Sequence, residues 1–148
     1  MMNAAFAEWL AQHELTEAFT TAAGDALFVN VEKKFGVLKK NGNYNVQSFY
    51  LDDVTEIRTY DDEHLLLDWT TATVLNVHPR SEHHSSNELY MRLRLKNHFE
   101  MKLQIFRAGG KNVSRESNEH VNLCNYAYRL TQTVRDLAIG LPAPTTQP

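Results

Sequence analysis

Several groupings in this chain carry side chains able to do chemistry. His78, His83 and His84 lie close together with Glu82 among them, and imidazoles at short spacing can ligate zinc or nickel. Their spacing, however, fits no established ligand pattern. No ligand on a rigid element accompanies them, so a solvated loop is expected and no metal site. Asp52-Asp53 and Asp61-Asp62-Glu63 are acid runs that general acid–base work or a cation site would use. Catalytic carboxylates need a cleft that shifts their pKa. These fall at expected turns, where aspartate bonds the backbone. His120 and Cys124 stand at i and i+4, close enough on a helix to meet as base and nucleophile. Cys124 borders an apolar stripe, where a thiol behaves as a small hydrophobe. Lys33, Lys34, Lys39 and Lys40 surround one hairpin and form a candidate anion-binding group. Lysines so placed also protect a strand edge.

No Ser-hydrolase elbow, phosphate-binding loop, dinucleotide glycine pattern or HExxH pair is present, so neither an enzyme nor a cofactor is expected. The 148 residues suit one domain, and the net charge of −3 argues against nucleic acid as a partner. Cys124 is the only cysteine, which excludes an intramolecular disulfide and suits a reducing compartment. Met1 to Leu10 lacks the basic and apolar regions of a signal peptide, and no apolar run is long enough for membrane insertion. A cytoplasmic protein is expected.

The elements that would position these residues are mostly strands. Leu27, Val29 and Val31 alternate along 26–31, and further strands are expected over 35–38, 46–51 and 54–60. Asn41-Gly42-Asn43, Asp52-Asp53 and Asp61-Asp62-Glu63 break them. Residues 65–77 read as one bent strand or two, and 78–87 as a polar loop. The hairpin is most defined where Leu89, Met91, Leu93 and Leu95 face one way and Phe99, Met101, Leu103 and Ile105 must join them. Only a three-residue loop, Lys96-Asn97-His98, puts Leu95 opposite Phe99 and both apolar faces on one side. Arg94 then faces Glu100, and Asn97 or His98 takes a left-handed conformation. After a glycine-containing loop over 107–118, residues 119–139 form an amphipathic helix with Leu123, Ala127, Leu130, Val134 and Leu137 in one stripe. Ser117 or Asn118 is its N-cap, and Gly140 and Pro142 end it.

The fold class is therefore α+β: about seven antiparallel strands, a C-terminal amphipathic helix and an additional N-terminal helix. The stretch FGVLKKNGNYNVQSFYLDDVTEIRTYDD resembles a segment of uncharacterised bacterial pleckstrin-homology-like domains, with Phe49, Leu51, Asp53 and Val54 at its aromatic-x-aromatic-x-Asp-hydrophobic step. NELYMRLRLK, FEMKLQIF and the last helix follow in the same order. The resemblance covers roughly residues 26–139. It implies a bent, barrel-like sheet closed by one helix, and no activity. The organisation expected is an N-terminal helical segment over 1–25, the β domain over 26–140 and a disordered tail over 141–148.

Residues 3–22 read as one helix, uninterrupted until Gly24. Its apolar residues fall on two stripes: Phe6, Trp9 and Leu10 on one side, Leu15 and Phe19 nearly opposite. Two stripes imply either a break near Gln12–Glu14 or burial on two sides. In the second case the exposed stripe binds a protein partner, most simply a second copy in a homodimer. A non-catalytic protein-binding module is the expectation, with weak anion or membrane-surface binding by Lys33–Lys40 as the alternative.

Overall fold

A computed structural model of the chain describes residues 4–42, 46–68, 73–74, 85–109, 112–114 and 117–138. Helix α1 (Ala4–Gln12) is followed by β1 (Thr16–Thr20), β2 (Ala26–Asn30), β3 (Phe35–Lys39) and β4 (Val46–Tyr50), which form an antiparallel sheet in chain order. A 3-10 turn, Leu51–Asp53, leads into β5 (Val54–Asp61) and β6 (His64–Asp68). With β7 (Thr73–Val74), β9 (Glu88–Leu95) and β10 (Glu100–Arg107) these form a second antiparallel sheet, ordered β10-β9-β5-β6-β7. The short strands β8 (Ser85–Ser86) and β11 (Val113–Ser114) pair with each other, and helix α2 (Asn118–Leu137) ends the described chain. The molecule is thus α+β with antiparallel sheets, which do not close into a barrel.

The expected helix over 3–22 is corrected: it stops at Gln12, and 16–20 is a strand. Leu15 N–H bonds Leu10 O at 2.9 Å, Glu14 N–H bonds Ala11 O at 3.1 Å, and Glu14 has φ 54. This is a Schellman cap, with Leu15 and Leu10 as its hydrophobic contact; both are buried in one cluster. Glycine usually takes the left-handed position, so glutamate there gives no cap signal; of the two alternatives the stripes left open, the break near Gln12–Glu14 is the one found. Glu14→Gly should therefore stabilise the fold by about 1 kcal/mol, read as a higher urea midpoint.

The break disposes of the two stripes. α1 lies on the outer side of the first sheet, where Leu10 and Leu15 pack with Ala26, Phe28 and Val37. The opposite side joins the main core, in which Leu27, Val29, Leu38 and Phe49 meet Ile57, Leu66, Met91, Leu93 and Leu103 of the second sheet. β2 is consequently buried along its whole length. Val31, expected on the buried face, instead lies in the β2–β3 turn and is exposed.

The β9–β10 hairpin has the register expected. Leu95 N–H bonds Phe99 O at 2.9 Å, Arg94 stands opposite Glu100, and His98 has φ 67. Phe99 lies beyond the strand end and is exposed. A register shift between Gln104 and Phe106 interrupts the alternation, and Gln104 is buried despite its polar position. α2 buries Ala127, Leu130 and Val134 against the core, with Leu123 and Leu137 at its margin. Ser117 caps it, accepting from His120 N–H at 3.2 Å. Gly140, Pro142 and the tail lie outside the described residues.

Candidate interaction site

The arrangement nearest to a catalytic constellation is an acid, an imidazole, a hydroxyl and a thiol. Asp61 ends β5, Ser86 belongs to β8, and His120 and Cys124 lie one turn apart on α2. Ser86 Oγ donates to Asp61 Oδ1 at 2.6 Å, and His120 Nε2 lies 3.0 Å from Asp61 Oδ2. Cys124 Sγ is 3.7 Å from His120 Nε2 and 3.8 Å from Nδ1. In a nucleophile–base–acid relay the imidazole stands between acid and nucleophile. Here His120 does stand between Asp61 and the Cys124 thiol, while the Ser86 hydroxyl is bonded to the acid itself; all four are shut away from solvent, with Asp61, Ser86 and His120 0% exposed and Cys124 1%. The group ties β5, β8 and α2 together from inside. Further along the helix, Thr131 Oγ1 donates to Ala127 O at 2.7 Å, so Thr59 supplies the proton of the 2.8 Å Thr59–Thr131 bond.

Asp61, expected in a turn, is a fully buried strand residue instead. Asp62 does fill the turn role, accepting from Asn87 N–H at 3.1 Å and Glu88 N–H at 3.0 Å. Asp53, at the strand junction, accepts Lys96 N–H through its backbone carbonyl at 2.9 Å. His78, His83 and His84 lie outside the described residues. Among those described, no group of three or more His, Cys, Asp or Glu is placed to hold a metal ion.

The four lysines do not converge. Lys33 and Lys34 occupy the β2–β3 turn, whereas Lys39 and Lys40 lie at the far end of β3, roughly 17 Å away at the rise of a strand. Lys40 is paired with the buried carboxylate of Asp25 and donates to Lys102 O at 2.8 Å. Lys39 stands over the Phe6 ring, 5.8 Å from its centroid. Of the four, only Lys33 and Lys34 retain the exposure that anion binding requires.

The outward face of the second sheet is charged but self-neutralised. Arg94 reaches Glu100 at 2.6 Å and Glu56 at 3.1 Å, and Arg58 contacts Glu56 and Asp68. Tyr60 stacks on Tyr90 with centroids 5.2 Å apart, under Arg92 and Lys102 respectively. The hydrogen bond from Arg94, then its charge and that of Arg92, hold the Glu100 carboxyl below the usual range against some desolvation. A lowered folded pKa means a stabilisation present above the unfolded value, about 4.3, and lost as pH falls through the folded one. In Arg94→Gln the Glu100 titration midpoint, followed by NMR, should rise; an unchanged midpoint would show that the pair is not formed in solution.

Of the residues expected to meet a partner, Leu10 and Leu15 are each 6% exposed, and Phe19 packs against the main core. Phe6 and Trp9 are half-buried, their rings stacked at 6.0 Å, with Phe6 edge-on to Phe28 at 5.4 Å. Other apolar groups are exposed on the first sheet and in its β2–β3 turn instead. Val31 is 56% exposed and Tyr50 57%, with Phe35 between β2 and the Tyr50 ring. The sequence did carry a signal for this surface: residues 41–50 contain no charge. No protein-family model, curated protein or solved structure matches the chain.

Proposed function

We propose that this chain is a non-catalytic, pleckstrin-homology-like interaction domain that binds protein through the outer side of its first sheet. The observation that carries the reading is the exposure of Tyr50 beside Phe35, at the end of a strand with no charged residue. Sealing of the Asp61, Ser86, His120 and Cys124 group supports a structural role for it, because a substrate cannot reach groups excluded from solvent. The succession of antiparallel strands ending in an amphipathic helix supports the pleckstrin-homology-like assignment. Internal pairing of the arginines on the second sheet leaves little free positive charge for nucleic acid. The buried thiol of Cys124 suits a cytoplasmic protein.

The test is a photo-crosslinking residue at position 50 in the full chain inside cells, with the same residue at position 58 as control. Protein adducts at 50 and none at 58 are expected. Absence of adducts at 50 overturns the reading. Lys33 and Lys34 beside exposed Val31 favour one second reading, weak binding to an anionic surface. Salt-sensitive capture by phosphatidylserine vesicles, lost in Lys33→Glu/Lys34→Glu, would transfer the function to that turn.

A further inference from the structure

The sheet edges are protected unequally. β1 carries Glu17 and a register shift between Glu17 and Phe19. β10 carries Glu100 and Lys102 and its own register shift, and the β1–β2 turn engages it. Ala23 N–H bonds Ile105 O at 3.2 Å, and Gln104 N–H bonds Asp25 Oδ2 at 2.8 Å. β7 is two residues long. Charge, irregularity, coverage and shortness are the means by which edges are kept from pairing with foreign strands. Among the described residues, β4 has none of them. Its five residues, Val46-Gln47-Ser48-Phe49-Tyr50, include no charge and no proline, and its register with β3 is unbroken. It hydrogen-bonds, among the described strands, to β3 alone.

The direction of its backbone groups follows from one bond. Leu51 N–H donates to Lys34 O at 2.8 Å, one step beyond the Phe35–Tyr50 pair. Bonded positions alternate along an antiparallel ladder, so Gln47 and Phe49 turn their N–H and C=O groups toward β3. Val46, Ser48 and Tyr50 turn theirs outward. The middle member of the outward set is Ser48, and the set is symmetric about it.

We propose that β4 is a self-association edge: two copies of this chain join β4 to β4, antiparallel, about a twofold axis through Ser48. The inference rests on the protein-binding reading and names the partner as a second copy. The register makes about six N–H···O bonds, from Val46, Ser48 and Tyr50 of each copy. It sets each Val46 against the second copy's Tyr50, an aromatic–β-branched cross-strand pair, and covers the exposed Tyr50 ring. Because the strand is uncharged, no like charges meet at the axis. A foreign strand would make the same backbone bonds, but a second copy supplies both Val–Tyr pairs by symmetry. A seam of five residues is shorter than a standard interface, so the dimer is weak, roughly micromolar.

The test is sedimentation equilibrium of the full chain and of Ser48→Lys and Ser48→Glu. Ser48 is exposed, and melting temperature checks that each variant folds. The wild-type mass should rise with concentration from 17.0 kDa toward twice that value. Either variant alone places like charges at the axis and should weaken association about ten-fold or more. An equimolar mixture of the two should associate again, because opposite charges then meet at the axis. Should the Ser48 variants melt early, Tyr50→Lys reads the same seam from a position 57% exposed. A wild type still monomeric at several hundred micromolar overturns self-pairing, as do variants that associate like wild type or a mixture that fails to. The position-50 crosslink separates this failure from failure of the parent reading. A monomer that crosslinks to another protein leaves the domain a protein binder; a monomer without adducts defeats both.

Discussion

Asp61→Ala should cost the domain about 2–6 kcal/mol in urea unfolding, since it leaves two buried polar groups unsatisfied at about 1–3 kcal/mol each. The carboxylate is fully buried and serves two elements at once, bonding Ser86 at 2.6 Å and His120 at 3.0 Å. Its loss strips Ser86 and His120 of those bonds in a place water does not reach, and desolvated polar groups without acceptors are costly. The expected loss is a large part of the roughly 5–15 kcal/mol typical of a domain, so the variant should be only marginally folded. Asp61→Asn keeps the shape and an acceptor and should lose less. The double variant Asp61→Ala/His120→Ala should cost less than the two singles added, since both remove one shared bond. Strict additivity, or a single-variant loss below about 1 kcal/mol, would mean that the cluster does not join β5 to α2.

Leu130→Ala should cost about 2–5 kcal/mol, the range for truncating a packed leucine. Leu130 is 7% exposed and belongs to the core in which Ala127, Val134 and Cys124 of α2 meet both sheets. The cost has a transfer part and a cavity part. The cavity part should be substantial, because the strands β5 and β9 against which α2 packs are held by their ladders and cannot collapse into the gap. The same measurement on Arg129, exposed on the opposite side of the helix, gives the comparison: Arg129→Ala should change stability by less than about 0.5 kcal/mol. Equal effects at the two positions would place the wrong face of α2 on the core.

The chain's local periodicities determined a good deal. Alternation on the two strands with a three-residue loop was enough to set the β9–β10 register as far as Gln104, with the Arg94–Glu100 pair and the left-handed His98, because a slip of one residue would turn every apolar side chain to water. The 3.6-residue stripe placed α2 and its buried face, and Ser117 marked its start. The tertiary structure decided what distance in sequence conceals. The end of α1 came from Leu15 closing back on Leu10 beneath the first sheet, a cap made with glutamate where composition looks for glycine. That one turn converted an apparent two-striped helix into a helix and an edge strand; it buried Leu10 and Leu15 in the chain's own interior and laid Phe19, half-buried, against the main core. Asp61 and His120 lie 59 positions apart and each reads alone as a turn acid or a helix polar residue. Only the folding of β5 against α2 brings them together and shuts out water. The lysines were scattered for the converse reason: a strand of five residues holds its ends apart, so neighbours in sequence point to different places. Which edge of a sheet stays unpaired is likewise a property of strand order, and strand order is settled by contacts that no local pattern contains.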